Sequence, residues 1–492
     1  MNASVLAIDQ GTTRTKALIV DQAAHCLHLS SIEVPLRYPQ PGWVEQDGEQ
    51  ILAGVVESAR RALDDAGDTV MALGLANQGE TVVIWDRRTG HALGPAISWQ
   101  DRRTEALCAE LRATGHGTTI TARTGLPLDP YFSATKLRWL LDHVPEARAL
   151  ARHGNLLAGT TDAWLLWHLT GEHRTDHATA SRTMLYDPRT GAWDDVVLDL
   201  LRIPRAILPA ISPTCADYGR ARAALLGRDL PVSASIVDQQ AALFGQGCHT
   251  PGDVKITYGT GAFLLANTGR RLVSSRHGLV PTVAWALDGA HTYALDGGIY
   301  VAGAAVQWLR DGLGILQDPA ASATLATSVP DSGGVVFVPA LTGLAAPYWD
   351  SATRGTLFGL TRGSTGAHIA RATLEGIAML TRDVLEAMTQ DMGQPISTIK
   401  ADGGAAANPF LMQTLADLAE VEVRVAAQPE ATALGVAFLA GLGVGLWREP
   451  AETAALWREA TRYQPRPRAD LAQVRARWQR AVALARGWAD SG

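Results

Sequence analysis

The chain has 492 residues, 47% hydrophobic and 19% charged. At about 100 to 200 residues per domain this gives two to four domains and excludes a disordered or fibrous protein. Its 43 Lys and Arg against 49 Asp and Glu leave a net charge of -6, the wrong balance for neutralising nucleic-acid phosphates. No run of about 18 apolar residues occurs, so no membrane span and no membrane partner are expected. The opening residues, Met1 to Asp9, lack a basic stretch and meet an acid early, which predicts a cytoplasmic protein without a signal peptide. Cys26, Cys108, Cys215 and Cys248 are far apart and read as reduced thiols rather than zinc ligands. His25 with His28, and His173 with His177, have metal-like spacing without a third ligand; they read as ordinary surface or core residues.

In chain order, the first element is a β-rich run, Val5 to Ile8, then Asp9-Gln-Gly-Thr-Thr13 and a returning apolar run, Ala17 to Val20. Val70 to Leu75 reads as a further strand. Past the midpoint the first pattern returns: Val254 to Tyr258, Gly259-Thr-Gly261, then Ala262 to Ala266. Gly11 and Gly259 fall in equivalent positions, which predicts two similar domains meeting near residue 246. Ala370, Leu374, Ile377, Leu380, Val384 and Met388 recur at helical spacing and mark one long buried helix. Thr398 to Ala401 reads as a strand running into Asp402-Gly-Gly404, followed by a helix with Leu411, Leu415 and Leu418 on one face. The alternation of strands and helices predicts α/β layers. After Pro467 the chain is Arg-rich, but Leu471, Val474, Trp478 and Val482 form a stripe that predicts a helix docked on its own domain.

Neither the P-loop nor the dinucleotide glycine fingerprint is present. Gly441-Leu-Gly-Val-Gly445 follows a helical run and reads as a helix terminus. The two Gly/Thr turns offer another phosphate cradle, because glycine admits close approach to backbone amides and threonine adds hydroxyl donors. Either turn alone is equally a tight hairpin. Asp9 repels phosphate but suits Mg²⁺.

Asp9-Gln-Gly-Thr-Thr13, Gly42-Trp-Val-Glu-Gln-Asp47, Tyr131-Phe-Ser-Ala-Thr-Lys136 with Trp139, Asp238-Gln-Gln240, Tyr258-Gly-Thr-Gly261, Gly343 through Trp349 to Thr361, Asp402-Gly-Gly-Ala405 and Ala431-Thr-Ala-Leu-Gly435 together resemble the FGGY carbohydrate kinases. The resemblance spans essentially the whole chain and is nearest to the glycerol-phosphorylating members. It implies two ribonuclease-H-like domains of the actin and sugar-kinase superfamily, residues 1–246 on the polyol side and 247–492 on the nucleotide side, with the active site in the cleft between them. It implies ATP and Mg²⁺ as cofactors and a small polyol or sugar as the partner; a homo-oligomer is compatible with it. By the same resemblance, Glu80, Trp99, Tyr131, Asp238, Gln239 and Phe263 form the polyol pocket, and Asp238 is the catalytic base. Thr12, Thr13, Lys16, Thr260, Gly303, Gln307, Gly404 and Asn408 fall on the nucleotide side, with Asp9 at the metal.

Three departures stand out. Lys16 replaces a family Arg and loses its planar fork. Gly79, in Asn77-Gln-Gly-Glu80, replaces an Arg that donates to the substrate hydroxyls. Either another donor takes over and the substrate is still glycerol, or the pocket widens for a longer polyol or a ketose. Arg220 to Gly227 stands where the glycerol-phosphorylating members carry a Gly-rich inhibitory loop, so their sugar-bisphosphate control is not expected. An ATP-driven chaperone shares the nucleotide core but needs a client domain for which no residues remain. Retention of Asp9 and Asp238 argues against a non-catalytic sensor.

Overall fold

The computed structural model describes residues 3–66 and 69–489. Strand Ser4–Gln10 carries the aliphatic run Val5 to Ile8 and is buried except at Asp9, as a strand covered on both faces requires. It pairs antiparallel with Arg14–Asp21, placing Asp9 opposite Lys16, and parallel with Val70–Asn77, placing Gln10 opposite Asn77. Strand Leu230–Val237 continues the parallel set, with Val237 opposite Asn77. Three strands therefore end together, and the residues just beyond them share one edge.

The second hairpin repeats the unit. Asp253–Tyr258 pairs antiparallel with Ala262–Gly269 and parallel with Thr398–Asp402, placing Thr257 opposite Asp402. The first sheet has six strands and the second seven. A smaller four-stranded sheet contains Ala96–Ile97 and Val82–Asp86, and carries Trp99 at its margin. No sequence pattern pointed to that sheet, because two of its strands are only two residues long.

Helix Gly366–Met392 buries the predicted stripe. It starts at a capping box between Thr365 and His368 and stops at Gly393, whose left-handed φ of 64° suits a helix end. The C-terminal helix Leu471–Ala489 docks as expected: Val482 and Ala485 are buried, and Trp478 donates to Asp383 at 2.6 Å. The helix at Gly441 to Gly445 also ends as read. Gly445 adopts φ 75°, and Leu446 N–H bonds the Gly441 carbonyl at 2.8 Å.

Helix Ala431–Gly443 is apolar around almost its whole circumference, so it has to be enclosed. Although it lies late in the chain, its residues share a core with Val5, Ala7, Ile236 and Val237 of the first sheet and with Leu265 and Ala284 of the second. It also crosses helix Asp238–Gly245 at contact distance. A Cβ on Gly435 would lie 1.8 Å from the Ala241 carbonyl oxygen, so only glycine permits the crossing. This crossing fixes the start of the second helix, which is Asp238.

Candidate active site

At the carboxyl edge of the first sheet, Asp9, Glu80 and Asp238 follow directly from the register. Such edges are where open α/β sheets place ligands. Burial raises the Asp9 carboxyl to about 7, with Asp238 and Glu430 adding to the rise and Lys16 opposing it. Burial likewise raises Asp238 to about 6 against the pull of Lys255 and the Gln239 N–H. Glu80, 4% exposed, is raised to about 6 by burial despite Arg182. Three carboxyls held above their ordinary range together at one edge make it the candidate reactive site.

Around them stands an aromatic wall. Trp99 meets Tyr131 edge-on at 5.7 Å and Phe263 at 6.3 Å, so residues from the two halves face each other. Trp99 Nε1 donates to Thr12 Oγ1 at 2.9 Å, which draws Thr12 to the aromatic side of the site. Lys136 donates to the Tyr131 and Ser98 carbonyls at 2.7 and 3.3 Å and so ties the Tyr131 loop to the segment bearing Trp99. Gln239 is oriented by the buried Lys255, whose ammonium donates to its Oε1; burial pushes the Lys255 pKa down.

The second edge holds a cavity of about 420 Å³ lined by Thr260, Gly303, Gln307, Gly404 and Asn408 among others, a volume within the range of small-molecule sites. Those five residues were grouped from the sequence on resemblance, and the fold gathers them on one wall. Gly303 N–H bonds the Gly259 carbonyl at 3.1 Å, joining a helix start to the turn. Asn408 caps helix Pro409–Ala419, accepting from Leu411 N–H at 3.0 Å. Gly403 has φ 86°, and a Cβ there would lie 2.3 Å from the Tyr258 oxygen. The turn after Asp402 therefore lies against the turn after Tyr258, and nothing stands within 4 Å of a Cβ at Gly404.

Lys16 Nζ lies 2.8 and 2.6 Å from the two carboxylate oxygens of Glu430, and Thr13 is exposed. Position 79 is less open than its glycine suggests: a Cβ there would lie 3.0 Å from Val237 Cγ2. Sequence reasoning missed Arg182, Lys255 and Asp296. Arg182 Nε donates to Glu80 at 2.7 Å, and its Nη2 lies 2.8 Å from Asp296. Isolated basic and acidic residues carry no motif, so only the fold shows that they converge. All four cysteines are free. Among the described residues no cluster of three or more His, Cys, Asp or Glu could hold a metal, and no helix is long and apolar enough to cross a membrane.

Comparison with known proteins gives this geometry a family. Residues 4–245 match the N-terminal domain of the FGGY family of carbohydrate kinases and residues 254–444 its C-terminal domain. A glycerol kinase of Aromatoleum aromaticum is 52% identical over 490 residues, covering 98% of this chain and 99% of the relative. One from Bordetella parapertussis is 50% identical over 497 residues, covering 99% and 98%. The crystal structure of Plasmodium falciparum glycerol kinase with ADP superposes with a TM-score of 0.94 at 32% identity, covering 98% of both chains. With paired sheets, a carboxylate-rich edge on the first, a neutral cavity on the second, and family matches over both halves, the chain belongs to the FGGY family of carbohydrate kinases and is a phosphotransferase.

Proposed function

We propose that this protein is a cytoplasmic enzyme that transfers the γ-phosphoryl group of ATP to a primary hydroxyl of glycerol. The observation that carries the reading is the meeting of Glu80 and Asp238 with the Trp99, Tyr131 and Phe263 rings at one sheet edge. Relatives of about half-identical sequence named glycerol kinase support the choice of acceptor. The rings offer apolar faces to the C–H groups, and Glu80, Asp238 and Gln239 bind the hydroxyls. Asp238 takes the proton of the attacking hydroxyl as the P–O bond forms. A base held at about 6 is mostly ionised at neutral pH yet more basic than an ordinary Asp, which suits that transfer. Thr260, Gly303, Gly404 and Asn408 hold the nucleotide on the opposite wall.

Mg²⁺ fits the first edge. Burial raises the Asp9 carboxyl to about 7, and Asp238 and Glu430 add to the rise; a divalent cation beside it would return it to its ordinary acidity. A site of one or two carboxylates also suits an ion that keeps its waters and binds phosphates. Asp9 would hold the ion, which neutralises phosphate charge when bound. We take residues 1–246 as the polyol side and 247–492 as the nucleotide side, with helix Ala431–Gly443 spanning both.

The test is ADP release with glycerol, erythritol, xylulose and ribulose, with and without Mg²⁺. Glycerol should give the highest kcat/KM, and only with Mg²⁺. A ketose with the higher value would overturn the acceptor assignment.

A further inference from the structure

We propose that Arg182 is the hydroxyl donor and specificity-determining residue of the acceptor pocket, doing from a different chain segment what position 79 does not. The inference deepens the glycerol reading and rests on it. Arg182 is 4% exposed. Its Nε is bonded to Glu80 and its Nη2 to Asp296, while Nη1 is buried without any partner. The guanidinium lies 5.9 Å from the Tyr131 ring centroid and 5.8 Å from that of Phe132. It also lines a small cavity, about 30 Å³, with Tyr131, Phe263 and Asp296.

A buried donor without an acceptor is disfavoured, and native proteins rarely keep one. An acceptor hydroxyl arriving between Tyr131 and Phe263 supplies the missing partner. Two carboxylates, one from each sheet's neighbourhood, fix the guanidinium plane, so the donor is set before the substrate arrives and loses little freedom on binding. Glu80 gains as well, because its carboxylate is held on one oxygen by Arg182 Nε and keeps the other for the substrate. The position of Val237 Cγ2, 3.0 Å from a Cβ on Gly79, agrees: part of the room an arginine at 79 would need is already taken. The pocket is thus built for a short acceptor with its donor on Arg182.

The experiment compares the wild-type protein with Arg182→Lys, which keeps the charge between Glu80 and Asp296 but loses the fork. KM for glycerol, KM for ATP, kcat and the melting temperature are measured on both. Losing one hydrogen bond to a buried hydroxyl weakens affinity by roughly 5- to 150-fold. Glycerol KM should therefore rise within that range, while ATP KM stays within about twofold in a variant that melts lower but stays folded at the assay temperature, a split between the two substrates that a merely structural role would not give. A folded variant with unchanged glycerol KM overturns the proposal. Should the variant fail to fold, ¹⁵N-arginine-labelled wild-type protein decides: glycerol must shift a protected guanidinium resonance, and no shift overturns the proposal. Wild-type protein inactive on glycerol but active on another acceptor refutes the proposed substrate instead, and Arg182→Lys is then judged by the KM of that acceptor.

Discussion

At the carboxyl edge of the first sheet, Asp9, Glu80 and Asp238 are crowded among Lys16, Glu430, Arg182 and Lys255. At the matching edge of the second sheet, the wall of the 420 Å³ cavity carries Tyr258, Thr260, Gly303, Gln307, Gly404 and Asn408 and no charged side chain. Both edges grow from the same unit, a hairpin with a parallel strand beside it. The unit supplies a place where backbone groups and turn residues converge, and the side chains decide its use. Desolvated carboxyls suit proton transfer and metal binding, whereas glycines and neutral donors suit holding an anionic, flat ligand without charge repulsion.

The comparison breaks most sharply at Asp238. Asp238→Asn should lower kcat by at least about a hundredfold while glycerol binding, read by titration calorimetry, changes little, because the amide still hydrogen-bonds. Near-normal turnover would remove Asp238 from the chemistry. At the same edge, Asp9→Ala should lower kcat by at least about tenfold and leave glycerol KM within about threefold. Equal losses in both would place Asp9 on the acceptor.

An effect of about the size expected for Asp9→Ala comes from pH. Glu80 and Asp238 are both held near 6 by burial. The base works only when ionised, so kcat/KM should fall as pH drops through about 6 and be about tenfold below its plateau near pH 5. A profile flat down to pH 5 contradicts the raised carboxyls. The neutral edge is probed by Gly404→Leu, where the added side chain enters a space with nothing within 4 Å of its Cβ. ATP KM should rise by roughly 5- to 150-fold, the equivalent of the 1–3 kcal/mol that overpacking costs, with glycerol KM unchanged. A change in glycerol KM alone would show that the two edges are not separate in function.

By itself the sequence determined the local units. Aliphatic runs of strand length around Asp9-Gln-Gly-Thr-Thr13 and Tyr258-Gly-Thr-Gly261 predicted the two hairpins, which occur at Ser4–Asp21 and Asp253–Gly269. Helical spacing gave Gly366–Met392 and the docked C-terminal helix. Each of these rests on a period or a turn residue that a few neighbouring positions encode. The resemblance groups Thr260, Gly303 and Gly404, and these three share a cavity wall. What tertiary structure alone decided was long-range convergence. Helix Ala431–Gly443 is too uniformly apolar for its sequence to say which surface buries it, and the fold sets it against the strands at the other end of the chain. Lys16 meets Glu430, 414 positions away, and Arg182 meets both Glu80 and Asp296. Nothing periodic marks those charges; a buried ion has to find its counter-charge wherever the packed chain brings one within reach.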